Sequence, residues 1–192
     1  MPNYVRLRVP GATIFLTICL ADRRGDWLVR EVDALRQAVA RTKAERPFHI
    51  DAWVTLPDHL HAVWTLPEGD ADYSVRVGAI KARFFRAVRR AGFTPPPPVG
   101  RADGGVNPAL RRKGELGIWQ PRFWEHHLRT EAARDDAIRY CWHNPLKHGL
   151  ADDPFDWPHS SIHRDMRRLL APARRNVAEM GRARLSPAGA RR

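Results

Sequence analysis

Two histidines, His59 and His61, flank a single leucine inside a run of strand-forming residues that extends to Leu66. Successive side chains of a β-strand point to opposite faces, so both imidazoles would project from one face while Leu60 and Ala62 face a core. Two imidazoles placed side by side in this way can bind one metal ion. The same spacing also arises by chance on half-polar sheet faces, so the pair alone does not establish a metal site.

Hydrophobic periodicity along the rest of the chain predicts a mixed α+β fold. The predicted elements are a strand over 13–20, a helix over 29–45, strands over 48–56 and 59–66, a helix over 75–91 capped by Ser74, a strand in the latter part of 118–128 and a helix over 131–143. Pro47 ends the first helix, and Asn144 before Pro145 is expected to end the last. The order of the first six of these elements predicts a ferredoxin-like split βαβ arrangement, with an antiparallel sheet and helices on one face.

The length of 192 residues and the 43% apolar content fit one domain of ordinary size with its own core, which we place at residues 1–165. Within it, residues 94–114 are rich in Pro and Gly and are expected to form a flexible or semi-rigid insertion. A basic helical stretch begins near Ser161, and residues 166–192 are expected to form a basic, disordered extension.

The chain carries a net charge of +12, because 33 Lys and Arg residues face only 21 Asp and Glu residues. Such an excess favours a polyanionic partner, with nucleic acid first and an anionic membrane surface second. No apolar segment reaches the roughly 18 residues that a transmembrane helix needs. The two cysteines, Cys19 and Cys141, lie far apart in the sequence, which fits a protein of the reducing cytoplasm.

The predicted helix over 75–91 is unusually basic and is the first candidate for contact with a nucleic-acid backbone. Its candidate DNA-binding residues are Lys81, Arg83, Arg86, Arg89 and Arg90. The alternative is an ordinary solvated helix face, and the sequence alone does not choose between the two.

The predicted helix over 131–143 suggests the chemistry. If it packs on the sheet, it can carry Tyr140 toward a metal held by His59 and His61, and Asn144, four residues later on the same helix face, can supply an oxygen ligand. A tyrosine phenol has a pKa of about 10, so a cation or metal must assist it as a nucleophile. The structural alternatives are a helix-edge tyrosine and a helix-terminal asparagine ahead of proline.

The histidine pair followed by Tyr140 on a late helix resembles the histidine-hydrophobe-histidine (HUH) single-strand endonucleases with one catalytic tyrosine. Four separate motifs extend the resemblance to the REP-associated tyrosine transposases over roughly residues 10–165. The motifs are Val54 to His61, Gly117 to His126, Tyr140 to Gly149 and Asp156 to Ser161. Four motifs are far more specific than one histidine pair.

This resemblance implies an enzyme that cuts and rejoins single-stranded DNA at palindromic REP hairpins through a covalent 5′-phosphotyrosine, using Mg²⁺ or Mn²⁺. His59 and His61 then match the metal ligands, and Tyr140 matches the nucleophile. Asn144 stands where related insertion-sequence transposases place a longer glutamine ligand. We expect a monomer, with a dimer left open.

The motifs also contain the remaining expected DNA contacts, which are Trp119, Arg122, Lys147 and His148. Bases flipped out of a hairpin can stack on Trp119, Phe123 or Trp124, although we expect at least two of these rings to be buried in the core.

Two other functions are consistent with the same residues. A non-catalytic nucleic-acid-binding module of ferredoxin-like fold would need the basic helix but no metal. A metal-dependent hydrolytic nuclease would use water as the attacking group and would accumulate no covalent adduct. Aromatic residues of the kind that RNA-binding sheets display are not evident, so RNA recognition ranks lower.

Overall fold

The structure is a computed structural model that describes residues 6–92 and 117–168. Its strands are β1 (Thr13–Cys19), β2 (His49–Thr55), β3 (His59–Thr65) and β4 (Trp124–Leu128). Its helices are α1 (Trp27–Arg30), α2 (Val32–Glu45), α3 (Tyr73–Arg90) and α4 (Glu131–Lys147). A 3-10 turn (Pro154–Asp156) and a helical stretch over 162–168 follow α4.

Two of the sequence-based predictions fall mainly elsewhere in the chain. The insertion predicted over 94–114 lies outside the described residues, as does the predicted basic extension from residue 169 onward. Residues 166–168 belong to the helical stretch that begins at 162.

The sheet has the order β2-β3-β1-β4, and every neighbouring pair of strands is antiparallel. This is the order that a split βαβ arrangement produces, because each crossover helix leaves room for a strand between the two strands that it joins. The predicted α+β, ferredoxin-like fold is therefore confirmed. The register also places Thr17 opposite His61 and Cys19 opposite His59 across β1 and β3.

The two faces of the sheet carry different helices. On one face, Ile14, Leu16, Leu60, Ala62 and Trp64 pack with Leu35 of α2 and with Val77, Ile80 and Phe84 of α3. On the other face, Phe15, Val54 and Val63 pack with Cys141 of α4. The expectation of helices on one face holds for α2 and α3, the helices of the split βαβ unit, whereas α4, which follows that unit, packs on the opposite face. Side chains alternate between the two faces of a strand, so Phe15 of β1 and Val63 of β3 point away from α2 and α3. They form a second apolar patch, which α4 covers.

Helix α4 is one turn longer than the sequence predicted. Pro145 lies inside it rather than after it, and both Asn144 and Pro145 are buried. Packing of the proline ring evidently outweighs the loss of one backbone hydrogen bond, which is the usual reason that proline ends a helix. The helix ends instead at Lys147, and Gly149, two residues later, has a φ of +63°, a conformation that favours glycine. The extra turn adds Lys147 to the helix and His148 as its C-terminal cap.

Helix α3 starts at Tyr73, so Ser74 lies within its first turn and does not cap it. The Asp70 carboxylate instead accepts a hydrogen bond from the Asp72 backbone N–H and pairs with Arg76 at 2.6 Å. The loop before α3 is thus closed by Asp70, which corrects the predicted cap.

Several contacts hold α4 against the sheet. Arg134 pairs with the buried Asp51 of β2, and the indole N–H of Trp142 donates to the Ser161 hydroxyl at 3.3 Å. The segment around Ser161 pairs with the open edge of β2, with the backbone N–H of Ser161 donating to Trp53 at 2.7 Å. The motif from Asp156 to Ser161 therefore contributes by positioning α4.

In the parts of the chain that the structure describes, no helix has both the length and the apolar character needed to cross a bilayer. Cys19 and Cys141 are both free thiols. The cytoplasmic location stays a prediction.

Candidate active site

The two histidines project from the same face of β3, as their spacing predicted, and both side chains are buried. Their ring centroids lie 4.9 Å apart with nearly perpendicular planes. Leu60 and Ala62 face the opposite side and belong to the core beneath α2 and α3. The imidazoles thus lie on the face that α4 covers.

Each imidazole is held through its Nδ1 atom. The Asp58 carboxylate lies 2.6 Å from Nδ1 of His59, and because a carboxylate can only accept, Nδ1 carries the proton. The Arg23 guanidinium in turn pairs with Asp58 at 2.5 Å. The Thr17 hydroxyl lies 2.9 Å from Nδ1 of His61 and can accept a hydrogen bond from it. This arrangement leaves the Nε2 atom of each ring to bind a metal, as in most histidine-ligated sites.

The electrostatics keep both rings neutral. Burial lowers the pKa of His59, even though the hydrogen bond to Asp58 opposes the shift. Burial lowers the pKa of His61 to about 3, and the electrostatic influence of the neighbouring His59, His148 and Lys147 side chains lowers it further. A neutral imidazole keeps the lone pair that a metal ion needs.

Tyr140 reaches this pair from α4. Its ring lies 5.3 Å from the His61 ring and 5.6 Å from the ring of Phe15, in both cases edge to face. The residue remains 40% exposed, so α4 does not bury it completely against the sheet. The packing of α4 on the sheet, which the sequence reasoning took as a condition, therefore brings the phenol to the histidines.

Tyr140, Asn144 and His148 recur every four residues and so share one side of α4. The ring of His148 lies 5.1 Å from that of His59. The Lys147 ammonium lies 5.2 Å from the centroid of the Tyr140 ring. Lys147 thus lies beside the phenol and His148 beside the His59 imidazole, and both come from the turn that follows Pro145.

Asn144 lies one turn after Tyr140 on α4 and is only 1% exposed. Neither its Oδ1 nor its Nδ2 atom has a hydrogen-bond partner among the described residues. An unpaired buried amide costs about 1–3 kcal/mol, so a native protein rarely keeps one without a purpose. A divalent cation accepts an amide oxygen as a ligand, which makes this orphaned group fit a metal site.

No group of three or more His, Cys, Asp or Glu side chains with metal-binding geometry occurs in residues 6–92 and 117–168. The candidate donor set is therefore two imidazoles and one amide oxygen. A set with so few protein ligands leaves coordination positions for a substrate.

Substitution of Asn144 tests this assignment through thermal stability. Without metal, Asn144→Leu is expected to raise Tm by about 2–6 °C, because it removes the unpaired buried amide at similar volume. A saturating excess of Mn²⁺ is expected to raise the Tm of the unaltered protein by about 5–10 °C but to leave the leucine variant almost unchanged.

Asn144→Asp is the matched variant, because it keeps an oxygen at the same place. It is expected to lower Tm without metal, since the charge is buried, and to show a larger increase with Mn²⁺. A leucine variant that responds to Mn²⁺ as the unaltered protein does would exclude Asn144 as a ligand.

Two of the expected DNA contacts are buried and are corrected. Trp119 is 4% exposed, and its indole N–H donates to the Lys81 carbonyl at 3.2 Å. The Lys81 ammonium donates to the Gln120 carbonyl at 2.8 Å, and burial lowers its pKa to about 8. Neither side chain presents a surface to DNA, because an isolated bridge between Leu20 and Trp119 draws this segment under α3.

The other expected contacts divide into three groups. Lys147 and His148 are exposed and lie beside the histidine pair. Arg86, Arg89 and Arg90 are exposed on α3, on the opposite side of the sheet, and Arg122 is exposed just before β4. Arg83 is half-buried and pairs with Glu45. For all of these residues, DNA contact stays a prediction.

The sequence reasoning missed the residues that support the site. Asp58 directly precedes His59, and a carboxylate next to a proposed metal-binding histidine was a usable signal. Thr17 and Phe15 were not identifiable, because only the pairing of β1 with β3 brings them to His61.

Comparison with known proteins places this geometry in a family context. A REP-associated tyrosine transposase of Escherichia coli strain K12 is 39% identical over 172 residues, covering 90% of this chain and 89% of that protein. A protein of Haemophilus influenzae strain Rd, described as a candidate REP-associated tyrosine transposase, is 36% identical over 90% of this chain and 92% of its own.

A solved structure of a REP-associated tyrosine transposase bound to a REP hairpin superposes with a TM-score of 0.72 at 39% identity, covering 88% of each chain. No family model matches the sequence.

Proposed function

The chain belongs to the REP-associated tyrosine transposases, and on that basis we propose that it cuts and rejoins single-stranded DNA at REP hairpins through a covalent 5′-phosphotyrosine. Membership of this family makes it an enzyme that acts on DNA. The observation that carries the proposed mechanism is the direct contact of Tyr140 with His61, and of His61 with His59, on one face of the sheet.

In the cutting step, the Tyr140 oxygen attacks the phosphorus of a phosphodiester. A phosphorus–oxygen bond forms to the phenol as the bond to the 3′ oxygen of the departing strand breaks. The phenol loses its proton to solvent or a nearby base, and the 3′ oxygen leaves as a hydroxyl once it is protonated. Rejoining reverses these bonds with the 3′ hydroxyl of another strand, so the phosphotyrosine conserves the energy of the broken bond.

We propose that His59, His61 and Asn144 hold Mg²⁺ or Mn²⁺. Such an ion, when bound, would polarise the phosphodiester for attack. Asp58 and Thr17 contribute by holding the two imidazoles in a fixed orientation, and loss of a side chain that hydrogen-bonds a metal-binding histidine typically costs about 10–100-fold in metal affinity.

The charged side chains around Tyr140 fit an anionic substrate. Lys147 lies over the phenol ring, and Arg23 lies beside His59 and Asp58. His148 is exposed next to His59. Fixed positive charges at this place favour the approach of a phosphate group and help to neutralise the charge that develops during transfer.

The test is incubation with Mn²⁺ and an end-labelled single strand that contains a REP-type palindrome and its flanks. A slowly migrating, denaturant-resistant protein–DNA adduct is expected. The control strand has the same bases in scrambled order, so that no hairpin forms, and it should yield far less adduct.

The same experiment separates the alternatives. Cleaved DNA without adduct would indicate a hydrolytic nuclease, and binding without cleavage in any divalent cation would indicate a non-catalytic module. The monomeric state expected from the resemblance stays a prediction, which light scattering of the protein with and without hairpin DNA would measure.

A further inference from the structure

The edge strand β4 displays two aromatic rings on the face that carries Tyr140. Trp124 is 56% exposed, an unusual state for an indole, and His126 is exposed as well. Their ring planes are only 7° from parallel, with centroids 5.9 Å apart. Because the residues are two apart on a strand, both rings rise from the same face. We call Trp124 and His126 the β4 aromatic pair.

Phe15 connects this pair to the proposed nucleophile. The Phe15 ring meets the edge of Trp124 at 5.7 Å and of Tyr140 at 5.6 Å, and it stacks on His61 at 5.4 Å with a 22° interplanar angle. The pairing of Phe15 with His126 across β1 and β4 keeps the two strands in this register. A continuous cluster of aromatic rings, with the buried Phe15 ring at its centre, therefore connects the phenol to the edge of the sheet.

The neighbouring aromatic residues have a different fate. Trp119 is buried, and Phe123 packs against the core on the other face of the sheet. Core packing thus accounts for these two rings but leaves more than half of Trp124 exposed. Strand β4 pairs only with β1 in the described sheet, so no described strand lies beyond the pair.

We propose that the β4 aromatic pair stacks one unpaired nucleobase of the DNA strand, next to the phosphate that Tyr140 attacks. The proposal rests on the proposed function for its substrate. A flat, exposed indole suits a nucleobase because every base offers a π face, and stacking of this kind tolerates any sequence. The positive charges of Lys147 and Arg23 on the same face would hold the adjoining phosphates.

The stacked base would fix the strand while the phenol attacks. Stacking lowers the freedom of an unpaired nucleotide, so the phosphate next to it is presented to Tyr140 in fewer orientations. Trp124 would act as a binding and positioning residue, since it does not touch the reacting atoms.

The test measures DNA affinity without divalent cations, so that cleavage does not interfere. Trp124→Ala is expected to weaken binding of a hairpin with single-stranded flanks about tenfold, and Trp124→Phe to recover most of this loss. Phe155→Ala is the matched control, because Phe155 is also an exposed aromatic residue but lies next to the opposite edge of the sheet. It should bind as the unaltered protein does.

A series of DNA strands, each with one abasic nucleotide, then identifies the stacked base. At one position near the cleavage site, removal of the base should lower the DNA affinity of the unaltered protein about tenfold. The same removal should leave the affinity of Trp124→Ala unchanged. Equal affinity of Trp124→Ala and the unaltered protein on intact DNA would overturn the proposal. So would a Trp124→Ala defect that persists at every abasic position, since that would indicate a structural role.

The outcome also separates this proposal from the proposed function. Adduct formation by the unaltered protein, together with unchanged DNA affinity of Trp124→Ala, would refute the stacking alone. A stacking signature without any adduct would refute the tyrosine chemistry alone. Absence of DNA binding by the unaltered protein would refute both.

Discussion

Replacing Tyr140 with phenylalanine is expected to abolish the covalent protein–DNA adduct, with a loss of about 10³-fold or more in the rate of strand cleavage. The substitution removes only the hydroxyl group, which is the proposed nucleophile, and loss of a covalent nucleophile is among the costliest changes an enzyme can suffer. The aromatic contacts with Phe15 and His61 need only the ring, so DNA affinity and Tm should stay close to those of the unaltered protein. Gel analysis of adduct and cleavage, with affinity measured in parallel, checks both statements.

Tyr73→Phe provides the matched control among the described tyrosines. The Tyr73 hydroxyl donates to the Leu7 carbonyl at 3.0 Å, and its ring, on the first residue of α3, is buried in the core on the face opposite the histidines. This variant should lose some stability yet form adduct normally. Equal amounts of adduct from Tyr140→Phe and the unaltered protein would remove Tyr140 from the mechanism.

Substitution of His61 with alanine is expected to have the second largest effect. It removes one of two imidazoles from a donor set that has only one further candidate, Asn144, so Mn²⁺ affinity should fall by about 10²-fold or more. Adduct formation at a fixed Mn²⁺ concentration should fall at least as far. Calorimetric titration of the DNA-free protein with Mn²⁺ measures the first effect independently of activity.

His143→Ala is the control for this substitution. His143 is exposed on α4, outside the series of every fourth residue that faces the histidine pair, and its Nδ1 contacts only the Arg139 carbonyl among the hydrogen bonds described. It should bind Mn²⁺ normally. Unchanged Mn²⁺ binding by His61→Ala would mean that the ion, if any, is held elsewhere.

Part of this site follows from the sequence alone, because the strand repeat is short and rigid. The spacing of His59 and His61 required both rings to share a face once β3 was assigned, and the structure places them so. The order of strands and helices likewise restricted the topology to the split βαβ form.

The C-terminal end of α4 could not be predicted from the sequence. Proline normally stops a helix, and the chain here continues through Pro145 because the ring is buried. The additional turn brings Lys147 to Tyr140 and His148 to His59. The usual rule that proline ends a helix therefore fails at the position that determines whether these two residues belong to the site. Such an override depends on tertiary packing that local sequence does not contain.

Basic and aromatic residues were the least predictable. Lys81 and Trp119 are residue types that often contact nucleic acid. Here both are buried, and each donates a hydrogen bond to a backbone carbonyl. Trp124 lies in the same motif as Trp119 and is exposed. The difference comes from the face of the sheet to which each residue is directed, which is a property of strand register that an isolated motif does not specify.

The most direct test of the central claim is mass spectrometry of the trapped adduct after nuclease and trypsin digestion. Trypsin cuts after Arg139 and Lys147, so residues 140–147 form one peptide with a single tyrosine. We expect this peptide to carry the mass of the remaining nucleotides, with fragmentation locating them on Tyr140. Nucleotides attached to any other residue, or cleaved DNA with no modified peptide, would contradict the proposed mechanism.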